Sequence, residues 1–159
     1  MNLDEFAEWC QRTVIGHFLR SVVWAHPVVE ILHYGGLVLL FGPVLIVNLR
    51  LLGLVLRDVS VAEVADGVAR WRNSGLFLLF LTGPVLFLAN AMKAINGWLF
   101  PVKMGLLVIA LVLQFRVHER VTHAAAGSVG AAKTKAVAVS SIALWLGVAL
   151  SGMAIGLFD

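Results

Sequence analysis

The chain has 159 residues, 60% of them hydrophobic and 13% charged, with a mean hydropathy of +0.94. One domain fits that length, and so apolar a composition excludes a water-soluble active site and makes the bilayer the solvent. The formal charge of +3 is spread along the connections of an apolar chain, which points to membrane orientation and gives no support to nucleic-acid or nucleotide binding.

The N-terminal run MNLDEFAEWC is acidic and has neither the positive start nor the unbroken apolar core of a signal peptide, so no cleavage is expected. Phe6, Trp9, Cys10, Val14, Phe18 and Val22 recur at helical spacing, with Asp4, Glu5, Glu8, Gln11, Arg12 and Arg20 mostly elsewhere around the wheel. This predicts an amphipathic helix lying in the membrane interface within residues 1–26. A lone Cys10 allows no internal disulfide, no cysteine pair for a metal and no covalent c-type haem motif.

Four stretches are apolar enough to span a bilayer, which takes roughly 20 residues of helix: residues 28–54, 75–92, 99–115 and 137–158. The fold expected is all-α, an integral membrane four-helix bundle preceded by the interfacial helix, with 1–159 as a single transmembrane domain. Pro27 suits the first position of the first span, with His26 at its cap. Gly35, Gly36, Gly42, Gly75, Gly83, Gly147, Gly152 and Gly156, with Ser140 and Ser151, supply small residues of the kind that let helices pack closely in lipid. Faces of this kind left uncovered suit contacts in a homo-oligomer. Gly42-Pro43 and Gly83-Pro84 fall mid-span, where each proline is expected to kink its helix and free a carbonyl. Residues 58–73, with alternating charge, read as a short helix or ordered loop, and 124–132, rich in alanine and glycine, as a flexible connection.

Arg50, Arg57, Arg70, Arg72, Arg116, Arg120, Lys133 and Lys135 border the first and third connections; Arg12, Arg20, Lys93 and Lys103 border the N-terminal segment and the second. The positive-inside rule then puts the first and third connections in the cytoplasm and both termini on the periplasmic side.

Ionisable groups at membrane depth are costly and mark functional sites. On the first span His26, Glu30 and His33 share a face by spacings of four and three. On the third, Lys103, Leu107, Ala110, Gln114 and His118 form a stripe, and the second contributes Thr82 and Asn90. The alternating topology puts Glu30, His33, Asn90, Met92, Lys103, Met104 and Met153 in the outer half of the bilayer, and Asn48, Arg50, Arg116, His118 and His123 in the other. The functional reading is that His33 ligates a haem b, with Lys103 offsetting propionate charge; the plainer one is that His33 packs against a carbonyl and Lys103 snorkels to the interface. A sixth ligand would have to be His26, His17, Met104, Met153 or none. His118 is the candidate for a second haem, although His118-Glu119-Arg120 reads as a solvated helix end. Copper on Met92, Met104, Met153 and His33, and an ion path through Glu30, His33 and Lys103, are the alternatives.

Glu30-x-x-His33-x-x-Gly36, then Asn48-Leu49-Arg50-Leu51-Leu52-Gly53, Thr82-Gly83 and Phe100-x-x-Lys103, resemble an uncharacterised family of small four-helix bacterial membrane proteins over most of the chain. Aspartate usually precedes the Leu-Arg-Leu-Leu-Gly run in that family, so Asn48 is a departure that removes a charge partner for Arg50. A histidine early in the first span, an arginine at its end and a lysine opening the third are also similar to HemJ-type protoporphyrinogen oxidases and CopD-type copper-resistance domains. That resemblance implies His33 as a haem or metal ligand and Lys103 as its functional partner. Taken together, the expectation is a haem b protein of the bacterial inner membrane that exchanges electrons with a quinone or a redox partner protein. The alternatives are a copper-handling module or a structural subunit of a larger membrane complex.

Overall fold

The structure is a computed structural model that describes residues 2–124 and 130–158, without the side chains of 117, 119 and 156–158. Most of the connection expected over 124–132, and the surroundings of Gly156, therefore lie outside the described residues. Helix α1 (Leu3–Arg12) opens on a reciprocal cap, Asn2 Oδ1 accepting from Glu5 N at 2.9 Å and Glu5 Oε2 from Asn2 N at 3.1 Å. The single helix expected over 4–23 is two, because Thr13 turns the chain. Its Oγ1 donates to Cys10 O at 2.7 Å, closing α1, and accepts from Gly16 N at 3.2 Å, capping α2 (Val14–Ser21). Both helices pack on the far end of α4 (Val61–Asn96). There Ala7 and Cys10 are buried with Ala91, beside Phe6, Phe87, Leu88 and Met92.

Helix α3 (Ala25–Leu51) begins three residues before the expected start, with Trp24 at the cap position and His26 inside the first turn rather than capping it. Pro27 still lies where no intrahelical partner awaits its missing N–H. Beyond α3 the backbone turns at Gly53, φ +75°, a conformation glycine adopts without strain. Arg50 Nε donates to Val59 O at 2.7 Å and Arg57 Nε to Gly53 O at 2.6 Å, so two arginines hold the loop.

Ser60 and Glu63 form the capping box that starts α4, and the charged stretch 58–73 is largely the opening of the same helix that makes the second span. At 36 residues α4 is about 54 Å long, well beyond a hydrocarbon core of about 30 Å. Pro84 lies within it, but the residue with non-helical angles is Asn90, at φ −119° and ψ 24°. Helix α5 (Leu99–Val112) runs into a π-helical turn, Leu113–His118, and the short α6 (Glu119–Thr122); α7 (Ala131–Phe158) completes the bundle.

Four described segments are long and apolar enough to cross a membrane: Ala25–Leu51, Val61–Asn96, Leu99–Thr122 and Ala131–Ile155. With large apolar side chains such as Val38, Phe77, Phe80, Ile109 and Leu150 exposed, the molecule is a multi-pass membrane protein built as a four-helix bundle. It consists of two tightly packed pairs, α3 with α4 and α5 with α7, joined chiefly where α3 meets α7; α4 and α5 touch sparsely although a short turn links them. Leu40, Val44, Ala110, Trp145 and Val148 form the central core, and Val47, Leu51, Val64, Ala65 and Ala138 a second one nearer the α3–α4 loop. That end is called the loop end below, and the end holding the α4–α5 connection the turn end.

The glycines divide by role. Gly35, Gly42 and Gly105 face no neighbour within 4 Å, whereas Gly36 and Gly75 set the approach of α3 to α4. A Cβ at Gly75 would lie 2.5 Å from Leu40 N and 2.7 Å from Gly36 O, against backbone that cannot move alone. Gly75→Ala is expected to force the pair apart at a cost of about 1–3 kcal/mol, read as a lower midpoint in a detergent denaturation series. Gly35→Ala, facing open space, is the control that stays near wild type.

Candidate functional site

Three histidines in the spans are each met by a polar residue of another helix, and the same device orients each of those partners. A side chain on one turn donates back to the carbonyl four residues earlier, which settles which of its atoms is left for the imidazole. Thr82 Oγ1 donates to Leu78 O at 2.7 Å, Asn90 Nδ2 to Leu86 O at 3.3 Å and Asn48 Nδ2 to Val44 O at 2.8 Å.

The consequences for the three rings differ. Thr82 has spent its one proton, so at 2.8 Å from His33 Nδ1 it accepts, and His33 is the Nδ1–H tautomer with a lone pair on Nε2. Among the described residues that Nε2 has no hydrogen-bond partner. His26 Nε2 lies 2.8 Å from Asn90 Nδ2 and accepts from it, leaving Nδ1 to carry the proton, 4.0 Å from Glu30 Oε2. His118 Nε2 donates to Asn48 Oδ1 at 3.0 Å and Nδ1 accepts from Gln114 Nε2 at 3.3 Å, so both of its ring nitrogens are engaged. His17 is exposed on α2, and His123 Nε2 stands 3.8 Å from Asp66 Oδ1 beyond the spans.

Around His33 the bundle is built from small residues. Gly83 lies against the ring, where an added Cβ would come to 3.7 Å from His33 Cε1. On α5, Lys103 lays its side chain over Gly152 of α7, and an added Cβ there would meet Nζ at 3.1 Å and Cε at 3.3 Å. Lys103 is half-buried and has no hydrogen bond or ion pair among the described residues. Tyr34 Oη donates to Glu30 Oε1 at 3.1 Å, so Glu30 serves Tyr34 and the edge of His26. Of the sulfur donors, Met104 and Met153 are exposed, and Met92 belongs to the cluster under α1. No three His, Cys, Asp or Glu side chains converge as a metal site among the described residues. Phe87 and Phe100 stack at 5.3 Å between α4 and α5 near the turn end.

The loop-end half holds what the sequence did not disclose. His118 is 2% exposed, not the solvated helix end that the charges beside it suggest; it ends the π turn, one turn beyond Gln114, and is buried with it. Asn48 Nδ2 also donates to Ser141 Oγ at 3.1 Å, so three helical segments meet in one buried polar layer. Ser141 is buried while the neighbouring Ser140 is exposed. Arg50 uses Nε and Nη2 on the loop carbonyls of Val59 and Arg57.

The chain belongs to a family of unknown function (DUF6644), whose family model matches residues 5–158. No curated protein and no solved structure matches it.

Proposed function

We propose that this DUF6644 member is a membrane-embedded haem b protein with a redox role, the haem being held in the turn-end half of the bundle by His33 Nε2. The observation that carries the reading is the fixed tautomer of His33. A ligating histidine characteristically donates its other N–H to a neighbouring oxygen, which orients the ring and raises its basicity, and Thr82 accepts that bond at 2.8 Å. His26 and His118 have their acceptor nitrogens occupied, so His33 is the span histidine whose chemistry suits a ligand.

The surroundings fit the group. Gly83 leaves the ring uncovered by any side chain at that position, and Lys103 is a cation at membrane depth without a counter-charge among the described residues, suited to a propionate. The haem would supply one-electron chemistry; the protein supplies an oriented imidazole, a charge partner and a dry surround. We assign the loop end to the cytoplasm from its eight basic residues against four at the turn end, which sets the haem toward the periplasmic face of a bacterial inner membrane. A quinone or a redox partner protein is the electron exchanger this placement serves.

The test is a reduced-minus-oxidised visible spectrum of protein purified in mild detergent, with pyridine haemochrome quantification. A b-type spectrum near one haem per chain is expected. A featureless spectrum from folded protein made with ample haem overturns the reading, and bound copper without a Soret band replaces it with metal handling. A related expectation concerns room beside the ring: Gly83→Leu fills the space over His33 and lowers haem content at least tenfold, whereas Gly83→Ala, at an ordinary 3.7 Å contact, leaves it nearly unchanged.

A further inference from the structure

Where the buried polar layer meets the central core, two buried side-chain atoms have no partner among the described residues: Gln114 Oε1, an acceptor, and Trp145 Nε1, a donor. Trp145 is 1% exposed and Gln114 2%, so bulk solvent reaches neither. Leaving a buried polar atom unbonded costs about 1–3 kcal/mol, and in native proteins such atoms characteristically mark a bound water or ion. The polarity of the pair selects between these. A cation would be repelled by the indole N–H and an anion by the amide oxygen, whereas water both accepts and donates.

The direction of every other bond in the layer is already fixed. Val44 O takes one proton of Asn48 Nδ2, and Ser141 Oγ accepts the other. Asn48 Oδ1 therefore accepts from His118 Nε2, and His118 Nδ1 accepts from Gln114 Nε2. The chain of donors runs Gln114 to His118 to Asn48 to Ser141, leaving an amide oxygen at its head and a hydroxyl proton at its tail. Ser141 and Trp145 are one turn apart on α7, facing the same interior. We propose that an internal water molecule closes this chain into a ring, accepting from Trp145 Nε1 and Ser141 Oγ and donating to Gln114 Oε1.

Three bonds to otherwise unsatisfied groups is the usual complement of a buried water. The ring joins α3, the π turn and α7 through bonds that all run head to tail, so each polarises the next. The inference is independent of haem binding at His33.

Water-to-indole magnetisation transfer in full-length protein, 15N-labelled at the tryptophan side chains in a detergent micelle, tests it. Trp9, Trp24, Trp71 and Trp98 are 59–71% exposed and exchange with bulk solvent; their signals are assigned from Trp→Phe variants, leaving Trp145 by elimination. The expected result is a Trp145 indole N–H that resists exchange into deuterated buffer for far longer than the other four, yet shows a direct cross-peak to water. In Gln114→Leu the cross-peak is lost. A protected Trp145 signal without a water cross-peak in the wild-type protein overturns the proposal, as does a cross-peak that Gln114→Leu leaves unchanged in folded protein.

Discussion

His33→Ala is expected to lower haem from about one per chain to less than a tenth of that, and added imidazole is expected to restore the Soret band. The reasoning is local: α3 offers one imidazole whose Nε2 lone pair is unclaimed among the described residues, and Thr82 holds its Nδ1–H at 2.8 Å. Rescue by free imidazole separates loss of a ligand from loss of fold, because a collapsed bundle has no cavity to refill. Thr82→Val keeps the shape but removes the acceptor. It is expected to weaken haem binding by roughly 10- to 100-fold while retaining a b-type spectrum, since the ligand itself remains. His26 Nε2 already accepts from Asn90, so His26→Ala is expected to leave the haem spectrum unchanged. If His33→Ala retains full haem content, His33 is not the ligand.

Much of this arrangement was legible in the sequence, for definite reasons. Hydropathy finds spans because lipid admits little backbone that is not helical. His33 stands out because an imidazole eight residues inside a 27-residue apolar helix has few uses. What was hidden depended on local capping and on packing. Thr13 breaks one amphipathic pattern into two helices, its hydroxyl serving both ends, and the residues buried are Ala7, Cys10, Gly16 and Leu19 while Trp9, Val14 and Phe18 of the expected face are exposed. Regular spacing put His118 on the stripe with Ala110 and Gln114, but Glu119 and Arg120 beside it read as a solvated helix end, and its burial shows only once the helices are packed. Ser140 and Ser141 are equivalent by type, and only the packing of α7 on α3 chooses between them. The start of α4, by contrast, was written in Ser60-x-x-Glu63, a capping-box spacing that gains its meaning once the charged stretch is read as part of the span.

The loop-end layer carries the larger structural stake, and Asn48→Leu is the substitution that exposes it. Asn48 is fully buried and makes two interhelical bonds, to His118 and Ser141, besides the back-bond to Val44 O. Interhelical hydrogen bonds within membranes are individually modest, about 0.6 kcal/mol on average and up to about 1.7. Leucine keeps the branched shape and leaves no cavity, so beyond the strain of its larger methyl groups the damage lies in what is stranded. His118 Nε2–H loses its acceptor between two apolar clusters, at about 1–3 kcal/mol for a buried orphan. The expected total is about 2–5 kcal/mol, seen as an early transition when the folded protein is titrated with sodium dodecyl sulfate. His118→Leu in the same background should then be less destabilising than in the wild-type protein, because it removes the stranded Nε2 donor and gives up only the bond that Nδ1 accepts from Gln114. A double-mutant cycle that is simply additive would mean that Asn48 and His118 stabilise the bundle independently, and that the layer is not a connected network. Strong non-additivity would identify the layer as the tie that keeps the two helix pairs together at one end while the site at His33 lies near the other.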